Sequence, residues 1–459
     1  MARRTNDLGR DRVGPLLLRL ALPAIAAQLI NALYNIVDRM YIGHIPVVGD
    51  AALTGLGVCF PILMFISALS CLVGVGGGSR AAIHMGAGNR ELANEILGNC
   101  VALLLIISAA VTVLFQLWKE PMLFLFGASE NTIGFAVDYL GIYLWGTVCV
   151  QIALGLNNFI TTQGFATVSM ATVILGAVIN IVLDPVFIFA LDMGVRGAAL
   201  ATVLAQAVSA IWVLLFLLGR RTKLKIQLRY LRLRPKVLLP VMAIGVSPFI
   251  MQSTESLVNI ALNASLKYYG GDLYVGAITI CSSIMQVFYM PLQGLAQGAQ
   301  PIIGFNFGAG SLDRVRQTFR LLLRCALCLS CAMWAMLELF PGVFVALFNN
   351  KPELVSVAVP ALRIYMGCLF MLGIQNACQQ TFVALGQAKV SLFLALLRKV
   401  ILLIPLIFLL PLILPNQVTA VYLAEPVADF LAATCTGLVF SRRFPRILEK
   451  RRSELAQNG

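Results

Sequence analysis

"NALYNIVDRMYIG" (residues 31–43) places Asp38 inside a run that otherwise reads as a membrane-spanning helix. A lone carboxylate at the bilayer centre costs roughly 2.5–3.5 kcal/mol even on the lenient insertion scale. The rest of the chain must therefore supply it with partners. The 459 residues are 59% hydrophobic and 12% charged, with a mean hydropathy of +0.89. Soluble domains carry about 25% charged residues. Long apolar stretches recur every ~30–35 residues, each near the ~20 needed to cross a bilayer. They are continuous rather than alternating, which excludes a porin-type barrel. The fold class is an all-α integral membrane protein.

The first apolar run, from Leu16, is longer than a signal-peptide core and ends in no A-x-A-like site, so it reads as a retained helix. The eleven cysteines lie mostly inside apolar stretches and suggest no disulfide framework. Cys325, Cys328 and Cys331 fall at i, i+3 along one helix stripe with no paired histidine, which favours packing over a metal.

Spanning helices are expected near 15–41, 51–75, 93–118, 133–161, 166–191, 197–218, 238–267, 273–298, 316–340, 356–383, 388–411 and 418–440, twelve in all. The connecting charges sort by side. The segment "GRRTKLKIQLRYLRLRPK" (219–236) has eight Lys/Arg and no acid. The C-terminal tail adds Arg442, Arg443, Arg446, Lys450, Arg451 and Arg452, and the N-terminus four arginines. Loops on the opposite side hold Lys119, Arg196, Lys267 and Lys351 against six acids. The positive-inside rule then places both termini in the cytoplasm of a plasma (inner) membrane. The net charge of +14 is a topology signal rather than a nucleic-acid footprint.

The two halves match without a gap at an offset of 222. Asp50 falls on Asp272, Gly86-Ala87-Gly88 on Gly308-Ala309-Gly310, Ile142-Tyr143 on Ile364-Tyr365, and Ser169 on Ser391. Six spans per repeat is an even number, so the halves share orientation. The expectation is two pseudo-symmetric six-helix lobes: 15–218 and 238–440, flanked by an N-terminal segment 1–14, a basic linker 219–237 and a tail 441–459. Transporters of this kind hold substrate and ions near midplane and rock their halves. "GVGGGS" (74–79) follows a membrane helix and no strand, so it reads as close helix packing rather than a phosphate loop.

Depth counting brings four oxygen-bearing side chains into one layer. Asp38 lies near the outer end of the first span. Asn180 and Asp184 share a face of the fifth at i, i+4. Asp184 is about seven residues, roughly 10 Å, below the outer end. Thr202 sits about five residues into the sixth span. Two carboxylates, an amide and a hydroxyl suit a hard monovalent cation such as Na⁺, or a proton shared between acids. The second half replaces this set: Arg398 on span 11 matches the depth of Asp429 on span 12, with Glu425 one turn further out. An internal salt bridge that does not titrate is expected there. Glu255, mid-span on the seventh, shows no obvious mate and is expected to face a central cavity.

At these residues the chain resembles a known family. "ALPAIAAQLINALYNIVDRMYIG", "INIVLDPVFIF", "GVRGAALATVLAQ" and "GFNFGAG" are similar to the multidrug and toxic compound extrusion (MATE) transporters over about residues 15–440. The resemblance implies export of mostly cationic amphipathic compounds in exchange for H⁺ or Na⁺, with no cofactor. It also implies a first-lobe cation site at Asp38, Asn180, Asp184 and Thr202. Pro23 corresponds to a proline where some members bend their first helix, and Glu255 to an acid used in coupling or drug binding. The NorM-like branch carries an acid on its tenth span. Here that span has none, only groups such as Gln375 and Asn376, so coupling is expected to rest on the first lobe.

A substrate cavity is expected to draw on Glu255, Gln252, Met285, Phe288, Tyr289 and Tyr34, since Met adapts and aromatic faces attract cations. The expected partners are small organic cations and membrane lipids, for a monomer. A flippase for lipid-linked sugars of the same superfamily is the rival reading, but it calls for extra helices and a cationic cavity. An enzyme is disfavoured by the two histidines, His44 and His84, and the lack of a nucleophile motif.

Overall fold

A computed structural model describes residues 6–348 and 351–458; Arg3 and Arg4 of the N-terminal arginine set lie outside the described residues. The apolar runs leave their backbone only one way to satisfy its hydrogen bonds in lipid without a closed sheet, namely within each helix. The first lobe is built from α1 (Val13–Gly43), α2 (Gly49–Gly86), α3 (Arg90–Leu125), α4 (Ile133–Trp145) and α5 (Thr147–Thr162), α6 (Ala166–Pro185) and α7 (Gly194–Leu218). Helix α1 continues through Pro23 without a break. The fourth expected span is broken: α4 and α5 meet at 59°. Their junction, Gly146, abuts the Val203 side chain, where a Cβ would collide.

The second lobe runs from α8 (Pro235–Gly270) through α9 (Asp272–Gly308), α10 (Leu312–Leu339) and the short α11 (Pro341–Ala346). It continues with α12 (Pro352–Tyr365), α13 (Leu372–Ala384), α14 (Ala388–Leu396), α15 (Ile404–Ile413) and α16 (Gln417–Asn458). Among the described residues, eleven helices are long and apolar enough to cross a membrane, and the bent pair makes twelve. Helix α16 runs 42 residues and carries the basic tail within the same helix.

Two π-helical turns interrupt these helices, Val186–Ala190 after α6 and Leu397–Leu403 between α14 and α15. Prolines explain both. Pro185 lacks an N–H, and Pro405 would clash with the carbonyl four residues back, so the helix widens beside each. Asp184 sits in regular helix just before the first turn, whereas Arg398 and Lys399 sit within the second.

The lobes meet along α1–α9 and α2–α8, where small residues let backbones touch. A Cβ on Gly245 would strike the Leu72 carbonyl, one on Gly308 that of Ile83, and one on Gly86 that of Phe305. Gly294 and Gly298 sit against Ile25 and Ala21. Of the glycines at 74–79, Gly76 serves the same purpose against Val241 of α8, while Gly77 packs within the first lobe against Phe159 and Cys100. All these contacts lie on the halves of the helices nearer the termini.

That end also gathers the basic segments. Asn6 Nδ2 donates to the Gly164 carbonyl (3.0 Å), and Asn306 Nδ2 and Arg314 Nη2 donate to that of Leu8 (2.8 and 3.1 Å). Arg451 Nη2 donates to the Gly308 carbonyl (3.0 Å). The linker is sewn down too, with Gln163 Oε1 accepting from Thr222 Oγ1 and the Lys223 and Leu224 amides. Burial, against the pull of Asp7, holds the Lys223 ammonium below its ordinary range.

Candidate cation site and charged cluster

In the first lobe, α6 presents Asn180 and Asp184 one turn apart. Asn180 Nδ2 donates to Asp184 Oδ1 and to Thr202 Oγ1 of α7, both at 3.3 Å. Asp38 of α1 lies beside Asp184. Asp184 is fully buried and Asp38 and Asn180 nearly so. All four expected groups therefore meet. Three of their oxygens, Asp38 Oδ1, Asn180 Oδ1 and Asp184 Oδ2, are buried without a hydrogen-bond partner. Buried acceptors left unpaired are costly, and a hard monovalent cation or a proton is the group that would satisfy these. No cluster of three His, Cys, Asp or Glu suited to a metal occurs among the described residues.

One neighbour was not anticipated. Tyr139 of α4 is buried beside Thr202 and Asp38. It lies about six residues, or roughly 9 Å, below the start of α4, the depth of the other four. A depth count on the fourth span would have found it. The neighbouring Asp138 pairs with Arg196 at 2.9 Å instead.

A cavity between α1, α5, α6 and α7 adjoins this layer. Asn31, Tyr34, Asn157, Thr172, Gln206 and Ser209 line it, and it shares Asn180 and Thr202 with the carboxylate layer. Its walls carry polar groups and no charge.

In the second lobe, Arg398 Nε reaches Asp429 Oδ1 at 2.6 Å and Arg398 Nη2 reaches Glu425 Oε1 at 3.4 Å. The cluster is larger than a closed bridge. Glu255, expected to lack a mate, has one: Lys399 Nζ lies 3.0 Å from its Oε2. The π-turn explains the miss, because it rotates Lys399 off the regular helical face toward α8. The Glu255 side chain is still 56% exposed, whereas that of Lys399 is 8% exposed.

The aromatic and Met candidates divide. Met285 and Tyr289 are half-buried, and Tyr289 neighbours Glu255, Arg398 and Lys399. Phe288 is buried in the second-lobe core with its ring edge-on to Phe344, centroids 5.3 Å apart, so it does not line a cavity. Consecutive helical residues point about 100° apart, so Tyr289 reaches the charged cluster while Phe288 turns into the core. Gln252 Nε2 donates across the lobes to Ser67 Oγ at 2.9 Å.

The family profile described as MatE matches residues 23–186 and 248–409, more than half of the chain and one segment in each lobe. The chain belongs to the MATE family. Among curated relatives, the multidrug export protein MepA of Staphylococcus haemolyticus is 23% identical over 418 residues, 91% of each chain. MepA of Staphylococcus saprophyticus is 23% identical over 395 residues, 86% of each. A solved MATE structure in the bent conformation superposes with a TM-score of 0.91 at 23% identity, covering 98% of this chain and all of that one. An outward-facing multidrug resistance MATE transporter gives 0.90 at 23% identity, covering 97% and 100%. As a MATE protein, the chain is a multi-pass membrane transporter and not an enzyme.

Proposed function

We propose that this MATE transporter exports amphipathic, mostly cationic compounds in exchange for H⁺ or Na⁺. The observation that carries the reading is the sharing of Asn180 and Thr202 between the carboxylate layer and the cavity beside Tyr34. The cavity holds only about 40 Å³, so a cation or proton drawn to Asp38 and Asp184 and a group of the substrate reaching into it compete for the same amide and hydroxyl. Two ligands that favour different conformers through shared groups are coupled by the difference in their affinities for those conformers. The relatives named for multidrug export support the substrate class. Asp38, Asn180, Asp184 and Thr202 hold the ion, with Tyr139 orienting Thr202. Glu255, Gln252, Met285, Tyr289 and Tyr34 contribute to substrate passage.

The lobes are residues 15–218 and 238–440, moving about the glycine-lined seam. The seam is packed toward the termini, where Gly245, Gly308 and Gly86 meet the facing backbones. This arrangement fits a state open away from the termini, which the basic segments place in the cytoplasm of a bacterial inner membrane. In proteoliposomes, export of ethidium should follow an imposed H⁺ or Na⁺ gradient. Export indifferent to both gradients would overturn the reading.

A further inference from the structure

The second-lobe cluster does not balance. Lys399 Nζ sits 3.0 Å from Glu255 but 4.0 Å from Glu425 Oε1, so its hydrogen bond goes to Glu255. Arg398 is then left as one guanidinium for two carboxylates, Asp429 at 2.6 Å and Glu425 at 3.4 Å. Glu425 is 1% exposed, and its second oxygen, Oε2, is buried with no partner. An unpaired carboxylate charge in such a place costs several kcal/mol. A metal cation is a poor remedy, because two cationic side chains already lie within 4.0 Å of Glu425 Oε1. A proton has no such conflict, and it turns the orphaned acceptor into a donor.

We propose that Glu425 carries a proton, and that Lys399 exchanges it for a cationic substrate. Glu255 is the exposed end of the chain Glu255–Lys399–Glu425, its side chain 56% exposed. An organic cation that pairs with Glu255 displaces the Lys399 ammonium. Lys399 then closes the 4.0 Å gap to Glu425 and stabilises its carboxylate. The Glu425 O–H bond breaks and its proton is released to solvent, so one positive charge arrives as one leaves. The groups facing Glu425 are consistent with this count: Glu255 from α8, Tyr365 from α12, Arg398 and Lys399 from the π-turn, and Asp429 from its own helix. The inference rests on the reading that Glu255 meets cationic substrate.

The test is proton release on ligand binding. Purified full-length protein carrying Asp38→Asn and Asp184→Asn, which silences the first lobe, is titrated with tetraphenylphosphonium in lightly buffered detergent. Release of about one proton per bound cation is expected, since the exchange is one charge for one. Glu425→Gln added to that background should abolish the release. Asp429→Asn should abolish it as well, by giving Glu425 the whole guanidinium so that it is ionised before ligand arrives. This second variant keeps the test open if the first does not fold. Binding without proton release in the silenced protein, or release that persists in either added variant, overturns the proposal. Failure of first-lobe coupling would be read separately, as near-normal gradient-driven transport by the Asp38→Asn and Asp184→Asn proteins.

Discussion

Asp38 would be an expensive residue alone, and the partners that justify it come from α6 and α7, over a hundred positions away. Its neighbours were legible because depth along a straight helix can be counted from sequence. Asp38, Asn180, Asp184 and Thr202 meet in the structure for that reason. Thr202 holds Asn180 Nδ2, and a single such hydrogen bond is worth about 1 kcal/mol, or about five-fold in an equilibrium. Thr202→Ala should therefore raise the H⁺ or Na⁺ concentration that half-drives efflux by about five-fold. Unchanged ion dependence in vesicle assays would show that the hydroxyl is not part of the ion site. Glu255 belongs at this scale too. Glu255→Gln should weaken export of cations more than of neutral compounds, because only the former gain from the carboxylate. Equal loss for both classes would assign Glu255 to structure.

At the scale of elements, irregular helix is what sequence depth counting could not see. It placed Arg398 level with Asp429 correctly enough for the two to pair, yet missed Lys399 with Glu255. A regular helix sets consecutive residues about 100° apart, and the π-turn at Leu397–Leu403 alters that spacing. The break between α4 and α5 was hidden likewise, since Gly146 is one small residue in a run of apolar ones. The cluster makes an asymmetric prediction. Arg398→Leu strands the Asp429 carboxylate, whereas Asp429→Leu leaves Arg398 with Glu425 as its partner. Breaking a buried pair costs about 3–5 kcal/mol. Arg398→Leu should thus lower thermal stability in detergent more than Asp429→Leu, and the double variant should recover much of the loss. Strictly additive losses would contradict the pairing.

For the whole molecule, the internal repeat and the basic segments were enough to foresee twelve spans in two lobes with both termini at one end. They gave no sign of how tightly that end is shut. The closure is made by glycines packed against carbonyls and by the Leu8 carbonyl held by Asn306 and Arg314. Gly245→Val would drive side-chain atoms into the Leu72 carbonyl and part α8 from α2. In a background with the other cysteines replaced, a Ser79→Cys probe at the seam should be protected from an impermeant maleimide. It should become reactive when Gly245→Val is added; continued protection would show that the seam does not set the closed end. In the proposed exchange the first-lobe carboxyl pair is the place where ion and substrate exclude each other. The most direct measurement is gradient-driven ethidium export by proteoliposomes bearing the wild-type protein, Asp38→Asn or Asp184→Asn, matched for folded protein in the membrane. Each substitution is predicted to abolish export driven by the H⁺ or Na⁺ gradient, whereas near-normal export from either variant would contradict the account.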